Sequence, residues 1–165
     1  MSKARIFWGI CAVITMAAIF AFSSQTYNET MKTSDVIVKP IENAVRKDSS
    51  MFESEKEEKD YIKKLENRLD LAVRKSAHMC IFGVLAICVY MFCKSMGMND
   101  ADAIIMTLVV CGLYGGIDEL HQRFIEKRHS KFTDVCVDEF GSVIALTITR
   151  AANKIKSRRA NVLQK

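Results

Sequence analysis

The sequence predicts an all-α fold: a polytopic membrane protein whose four transmembrane helices form a bundle, with an outer amphipathic helical segment between spans 1 and 2. Two observations predict this fold. Hydrophobic residues make up 50% of the chain and charged residues 26%, and the two classes are separated along the sequence. The apolar residues concentrate in four runs, which favours membrane helices over a soluble helical bundle. These runs are Ile6–Phe22, Ala77–Cys93, Ala103–Ile117 and Val135–Thr149.

The first two runs are the clearest spans. Each corresponds to about 25 Å of helix, close to the lower limit for a bilayer whose hydrocarbon core is about 30 Å thick. Lys3 and Arg5 precede the first run, as basic residues do in a signal peptide. Because three further apolar runs follow, and the small residues near its end match a cleavage site only loosely, we expect this first helix to be retained.

The third and fourth runs are short and border on acidic residues. Ala103–Ile117 gives only about 22 Å of helix, so Asp118 and Glu119 at its end are drawn to the membrane boundary if this helix spans. The uncharged part of the fourth run, Phe140–Thr149, gives about 15 Å, so its helix can span only with Asp138 and Glu139 inside its outer half, and we expect Asp134 there as well. Ionisable groups in such places usually face protein or trapped water and are candidate functional residues.

A single membrane domain is predicted over residues 1–165, with an outer polar segment over 24–75. Asp35–Arg46 has an apolar stripe typical of a short helix at the membrane surface. Apolar residues from Tyr61 to Val73 recur every three or four positions, which predicts an amphipathic helix that runs into the second span. Before the third helix, Asn99 or Asp100 is the candidate N-cap. The predicted spans cover about 5–23, 76–94, 102–119 and 134–152.

Basic residues predict the orientation. With both termini in the cytoplasm, the basic residues at the inner ends of the spans are opposed only by Asp100 and Asp102. The net charge of +5 then reflects topology and contact with anionic lipid, and it gives nucleic-acid binding little support. The inner-side cations are Lys3, Arg5, Lys94, Arg150, Lys154, Lys156, Arg158, Arg159 and Lys165.

Cysteine placement agrees with an apolar interior. All six cysteines lie within an apolar run or at its edge, and no CxxC pair occurs. We therefore expect buried thiols that pack as small hydrophobic side chains, and no disulfide framework.

Three polar clusters are predicted to meet at the outer ends of spans 2, 3 and 4. On a helix, Asp118 lies one turn before Gln122, and Asp134 and Asp138 share one face with Gly141. Acids inside a membrane helix need cationic or hydrogen-bonding partners, and a glycine beside them lets a neighbouring helix approach closely. The candidate site residues are Arg74, Lys75, His78, Asp118, Glu119, Gln122, Arg128, Asp134 and Asp138.

Each cluster also has an ordinary structural interpretation. A histidine such as His78 on an apolar helix is more often a hydrogen-bonded packing residue than a catalyst. Arg74 and Lys75 at a helix entrance are more often lipid-headgroup anchors. Asp118 and Glu119 at a helix end cost nothing if that end emerges into water. A functional site is favoured over these structural roles only because all three clusters are equally polar.

An ordered set of motifs runs through the chain: Phe22-Ser23-Ser24-Gln25, Arg74-Lys75-Ser76-Ala77-His78, Asp118-Glu119-Leu120-His121-Gln122, Arg128, Asp134 and Gly141. Their order and spacing resemble the VanZ-like family of small bacterial membrane proteins over nearly the whole chain. By this resemblance, the family's characteristic polar positions fall on Lys75, His78, Asp118, Glu119, Gln122, Arg128 and Asp134. The chain departs from the family at Glu126-Lys127, where the loop usually has Pro-Gly, and at Asp138, where an Asn is frequent.

The resemblance implies a cell-envelope role in the bacterial cytoplasmic membrane. The family's namesake is associated with resistance to teicoplanin, a glycopeptide antibiotic, so an influence on teicoplanin susceptibility is also implied. The first hypothesis is an outward-facing site that binds an anionic or lipid-linked envelope component, such as a cell-wall precursor. In the same class, the polar residues could form a neutralised network that fixes the bundle without chemistry.

The second hypothesis is a membrane hydrolase or transferase acting on a phosphate-bearing, lipid-linked precursor at the outer leaflet. Arginine and lysine would bind the anion, and an imidazole or carboxyl group would act as general acid or base. The residues for these roles are Arg74, Lys75 and Arg128 for binding, and His78, Asp118, Glu119 and Asp134 for catalysis. No nucleophile with an adjacent base is readable, so binding ranks above catalysis. A proton-coupled transporter ranks third, since four spans show no inverted repeat.

Crowded carboxylates also raise the question of a metal. They cannot all stay ionised side by side, so one is expected to hold a proton or to share a cation. A divalent cation such as Mg²⁺ suits such oxygen ligands, and no other cofactor is predicted. Its ligands would be Asp118, Glu119, Asp134 and Asp138.

Overall fold

The computed structural model describes residues 3–24, 36, 38–44, 52, 54–124 and 132–163. Four long helices account for most of them: α1 Lys3–Ser23, α2 Glu55–Ser95, α3 Asp100–Gln122 and α4 Phe132–Leu163. Residues 38–44 are also helical, whereas the ends of the surface helix predicted over Asp35–Arg46 lie outside the described residues. No strand occurs in the described part of the chain, so the all-α fold is confirmed.

α2 is the longest helix, and it carries the amphipathic segment directly into the second predicted span. Its 41 residues make it about 60 Å long. Ser54 caps its start, where the Glu57 backbone N–H donates to the serine hydroxyl at 3.3 Å. Beyond its end, Gly97 has a φ of 89°, the left-handed conformation that commonly terminates helices. The predicted continuity from the amphipathic segment into the span is confirmed.

The turn between α2 and α3 sets the start of α3. The Asn99 side-chain oxygen accepts a hydrogen bond from the Asp102 backbone N–H at 2.9 Å. Its amide group donates to the Asp102 carboxylate at 2.6 Å. Of the two predicted N-caps, Asn99 is therefore the one that satisfies an unpaired donor at the helix start.

The four helices run alternately up and down, so the termini of neighbouring helices meet at each end of the bundle. At one end, called the Lys94 end, Arg5 Nη2 of α1 donates to the Ser95 carbonyl oxygen of α2 at 3.5 Å. At the opposite end, called the Ser23 end, Ser23 of α1 is hydrogen-bonded to Asp118 of α3. Arg5 and Lys94 therefore lie at one end of the bundle, and Asp118 lies at the other.

α2 is the central element, because it packs against each of the other three helices. It also supplies most of the buried apolar side chains. Many other large apolar residues, among them Phe7, Ile105 and Ile148, are exposed on the outside of the bundle. Extensive exposed apolar surface is expected where lipid, rather than water, surrounds the helices. The buried core consists of Ile19, Phe82, Leu85, Ala86, Val89, Tyr90, Cys93, Ala103, Cys111 and Leu146.

The backbones of α2 and α4 approach closely at two glycines. A methyl group on Gly141 would overlap the Met79 carbonyl oxygen and lie 2.7 Å from Met79 Cγ. A methyl group on Gly83 would lie 3.3 Å from Ala145 Cβ and 3.3 Å from the Gly141 carbonyl oxygen. Small residues allow this contact, as at many helix interfaces in membranes. The predicted close approach at Gly141 is confirmed.

Three helices, α1, α2 and α3, are long and apolar enough to cross a membrane. This indicates a multi-pass membrane protein. By the same measure the fourth predicted span is not confirmed. The reason lies in the charges of α4, since Glu139 and Arg150 bracket an uncharged stretch of only Phe140–Thr149.

The cysteines divide between the interior and the surface. Cys88, Cys93 and Cys111 are buried, and all six thiols are free. The expectation of burial is wrong for Cys80 and Cys136, which are exposed. An apolar run identifies a helix, but only the packing decides which of its faces is covered.

Candidate functional site

A polar cavity lies between α2, α3 and α4 near the Ser23 end. Its volume is about 30 Å³, and it is partly open to its surroundings; this is room for about one water molecule. All but two of the predicted site residues line it; the exceptions are Asp118, which lies beside it, and Arg128, which lies outside the described residues. The lining residues are Arg74, Lys75, His78, Glu119, Gln122, Asp134, Val137 and Asp138.

Helical spacing explains why these side chains meet. Each of the three helices contributes polar residues that are one turn apart and therefore share a face. These faces point towards one another because α2 and α4 pack closely at Gly141, one turn beyond Asp138. Gly115 allows α3 to pack against both of these helices, since a methyl group there would lie 3.5 Å from Val135 Cγ1 of α4 and 3.6 Å from Phe82 Cε1 of α2. Small residues thus bring the polar faces together.

Lys75 and Asp134 form an ion pair between α2 and α4. Lys75 Nζ lies 2.5 Å from Asp134 Oδ1, and the two side chains are 33% and 24% exposed. Partial burial strengthens the attraction relative to a fully exposed pair, because less water screens it. The predicted need of Asp134 for a cationic partner is confirmed, and that partner is Lys75.

Asp118 is 3% exposed and connects α1 with α3. Its Oδ2 accepts hydrogen bonds from Ser23 Oγ at 2.8 Å and from Gln122 Nε2 at 2.8 Å. Its Oδ1 is buried and has no hydrogen-bond partner among the described residues. The predicted pairing of Asp118 with Gln122 is confirmed. Sequence reasoning quoted Ser23 in a motif but gave it no role.

Further acids are buried around the cavity. Glu119 is 7% and Asp138 is 6% exposed. Glu119 Oε1 and Glu139 Oε2 are buried without a hydrogen-bond partner among the described residues. An ionised carboxylate in such a place costs several kcal/mol unless a cation, a proton or a donor compensates it. We call Asp118, Glu119, Asp134, Asp138 and Glu139 the acidic cluster.

The formal charges around the cavity do not balance. Lys75 is already paired with Asp134. Among the described lining residues, this leaves the Arg74 guanidinium to face the buried carboxylates of Glu119 and Asp138. The third predicted cation, Arg128, falls in a part of the chain that is not described. The arrangement can offer both an anion-binding guanidinium and several acceptor oxygens.

The Lys94 end carries a second polar cluster that sequence reasoning missed. The Tyr90 hydroxyl donates to Asp100 Oδ1 at 2.7 Å, and Lys94 Nζ lies 3.4 Å from the same oxygen. Arg150 Nε donates to Asp100 Oδ2 at 3.0 Å, and the Asp100 side chain is 47% exposed. We call Asp100, Tyr90, Lys94 and Arg150 the Asp100 cluster. It ties α2, α3 and α4 together at the end opposite to the cavity.

The sequence predicts a divalent cation held by the carboxylates of Asp118, Glu119, Asp134 and Asp138. In residues 3–24, 54–124 and 132–163, no group of three or more His, Cys, Asp or Glu side chains is arranged to hold a metal ion. A divalent cation at Asp118, Glu119, Asp134 and Asp138 therefore stays a prediction.

The comparison with protein families identifies the chain. The family model described as VanZ/LLP1 matches residues 8–153, which include parts of all four helices and every residue that lines the polar cavity. The chain belongs to the VanZ/LLP1 family. Nothing matches in the comparisons with curated proteins and with solved structures. The resemblance found from the motifs is thus confirmed, and the cavity is a feature of a VanZ/LLP1 chain.

Proposed function

We propose that this VanZ/LLP1 protein is a bacterial cell-envelope protein whose polar cavity binds an anionic, lipid-linked envelope component such as a cell-wall precursor. The observation that carries the proposal is the small cavity among three helices, lined by ionisable groups of both signs. Such groups are rare inside membrane proteins and usually mark a pathway or a binding site.

The proposed topology has four spans, both termini in the cytoplasm and the cavity at the outer leaflet. Basic residues at the Lys94 end support this orientation, because cations concentrate on the cytoplasmic side. The charges at the start of α4 are compatible with a fourth span. Asp138 is buried in the bundle and Asp134 is paired with Lys75, so neither carboxylate has to face lipid.

The proposed ligand contacts follow from the lining side chains. The Arg74 guanidinium is the group suited to a phosphate, because its donors form a planar fork that matches two oxygen atoms. Gln122 Nε2 already donates to Asp118, which leaves the side-chain oxygen of Gln122 to accept a hydrogen bond from a ligand. The hydrocarbon chain of the ligand would stay in the bilayer beside the cavity.

Substitution of single carboxylates tests the proposal. Asp134→Asn and Asp118→Asn should leave folded protein in the membrane, because an amide is nearly isosteric with a carboxylate. They should abolish the envelope phenotype, measured as teicoplanin susceptibility of a complemented deletion strain. Asp60→Asn, which changes an exposed carboxylate of α2, is the matched control and should complement fully. Loss of membrane-inserted protein in both site variants would instead support a purely structural network.

A second candidate function is a hydrolase or transferase acting on a phosphate-bearing, lipid-linked precursor. The observation that favours it is the cavity's room for one water molecule beside Glu119 and His78. A carboxylate or imidazole next to a bound water is the arrangement that general-base catalysis uses. Purified protein given a lipid-linked phosphate substrate, with and without Mg²⁺, tests this. Product release supports an enzyme, and binding without turnover supports the first proposal.

A further inference from the structure

We infer that the headgroup bound in the polar cavity carries a primary ammonium group, held by Glu119 and Asp138, beside a phosphate held by Arg74. The inference rests on the proposed function and narrows its ligand from phosphate-bearing envelope lipids in general to those whose headgroup also carries an ammonium group. Three features of the cavity carry it: its charge, its unpartnered oxygen and its size.

The charge of the cavity favours a ligand that brings a cation. Lys75 is committed to Asp134 at 2.5 Å. The described lining then has one guanidinium, Arg74, for the two carboxylates of Glu119 and Asp138. A ligand with only a phosphate would pair with Arg74 but would leave the carboxylates of Glu119 and Asp138 without a cation. Like charges in a poorly solvated site repel strongly, so an ammonium group improves the balance and a second anionic group worsens it.

The acceptor atoms of the cavity point to a hydrogen-bond donor. Glu119 is 7% exposed, it lines the cavity, and its Oε1 has no hydrogen-bond partner among the described residues. Asp138 is buried to a similar degree on the facing helix. An ammonium group offers three donors and a positive charge, so it can satisfy two carboxylates at once. A neutral hydroxyl group could donate to one oxygen, but it would leave the charges uncompensated.

The cavity has room for the ammonium group alone, so the phosphate would lie at its open side beside Arg74. Its volume of about 30 Å³ matches one water-sized group. A primary ammonium is of that size, whereas a trimethylammonium group is several times larger and has no N–H to donate. The cavity should therefore distinguish a phosphoethanolamine headgroup from a phosphocholine headgroup, although both are zwitterionic.

Lipid competition with the purified full-length chain in detergent tests the inference. The probes are short-chain phosphatidylethanolamine, phosphatidylcholine and phosphatidylglycerol, which present a primary ammonium, a quaternary ammonium and an anionic hydroxyl headgroup. Binding is measured by native mass spectrometry. We expect phosphatidylethanolamine to bind about tenfold more tightly than the other two, as one charged hydrogen-bonded contact implies.

Two variants locate the effect. Glu119→Gln removes the charge that receives the ammonium and should abolish the preference for phosphatidylethanolamine. Asp138→Asn makes the same test on α4 if the first variant does not fold. Glu57→Gln changes an exposed carboxylate in the first turn of α2 and should retain the full preference.

The outcomes separate the two proposals. If phosphatidylglycerol binds as tightly as phosphatidylethanolamine, or if both site variants keep the preference, the ammonium inference is overturned while lipid binding stands. If none of the three lipids binds above the level of a detergent background, the inference fails; the proposed function fails as well if a lipid-linked cell-wall precursor in the same assay does not bind. Selective binding that is lost in either site variant supports the inference.

Discussion

At the Lys94 end of the bundle, the single carboxylate of Asp100 faces Lys94, Arg150 and the Tyr90 hydroxyl. At the Ser23 end, by contrast, several acids surround one small cavity, and three members of the acidic cluster, Asp118, Glu119 and Glu139, have a buried oxygen atom without a hydrogen-bond partner among the described residues. Asp100 is 47% exposed, so water also solvates it. Glu119 at the other end is 7% exposed and has little access to water.

The two ends therefore differ in how completely their charges are compensated. The Asp100 carboxylate, whose charge is balanced by Lys94 and Arg150, connects three helices. This is typical of a residue that stabilises the fold. The acidic cluster is incompletely compensated, and such an arrangement destabilises a fold unless a ligand, a cation or a proton completes it.

The largest effect is expected at the close contact between α2 and α4, which holds the Ser23 end together. Gly141→Ala should destabilise the protein by about 2–3 kcal/mol, because the new methyl group overlaps the Met79 carbonyl oxygen and the backbones must separate. Thermal unfolding in one fixed detergent measures the change.

The matched control for this variant is Gly116→Ala. Open space surrounds Gly116, and alanine favours a helix over glycine by up to about 1 kcal/mol. Equal unfolding temperatures for the two variants would contradict the close contact at Gly141.

The second prediction compares lysines at the two ends. Lys75→Met should cost about 1–2 kcal/mol, because it leaves Asp134 partly buried without its cation, although residual exposure reduces the loss below that of a fully buried pair. Lys94→Met should cost less than about 0.5 kcal/mol, since Arg150 and Tyr90 still compensate Asp100. Chemical unfolding in the same detergent measures both.

A second substitution checks the cause of that loss. Adding Asp134→Asn to Lys75→Met should restore most of the stability, because the uncompensated carboxylate is then gone. Lys59→Met is the exposed reference, since Lys59 and Glu55 are 71% and 88% exposed in their own ion pair. Failure of the double variant to recover would mean that Lys75 stabilises through packing.

The smallest effects differ in sign between the ends. Asp138→Asn should leave the free energy of unfolding unchanged or raise it by about 1 kcal/mol, because an amide of the same shape cannot ionise in this buried, poorly compensated position. Asp100→Asn should lower it by about 0.5 kcal/mol, because it weakens contacts with two partly exposed cations. Unfolding at pH 7 measures both, and a clear loss of stability in Asp138→Asn would show that this carboxylate is fully compensated.

Helical spacing was enough to predict which polar residues share a face. It identified the polar lining residues on α2, α3 and α4 but not Val137, and the single glycine Gly141 identified the point of closest approach. Local spacing does not tell which faces meet across the bundle. The bond from Ser23 to Asp118 joins residues 95 positions apart, and the contact of Arg150 with Asp100 joins residues 50 apart. Such pairs follow from the packing of whole helices, so both were missed.

The fourth span shows the limit of hydropathy as a signal. An uncharged stretch as short as Phe140–Thr149 fails a test based on composition. The same helix nevertheless buries Asp138 and pairs Asp134 with Lys75, so its charges are turned towards protein. Composition counts a charge equally whether it faces lipid or a partner, and only the packing distinguishes these cases.

The unbroken length of α2 has a mechanical consequence. Glu55 to Ser95 forms one helix, whose first turns lie well beyond the apolar stretch that begins near Ala77. A continuous helix without a kink bends only gently. A displacement of the charged turns before Arg74 would therefore also displace the side chains of Arg74 and Lys75.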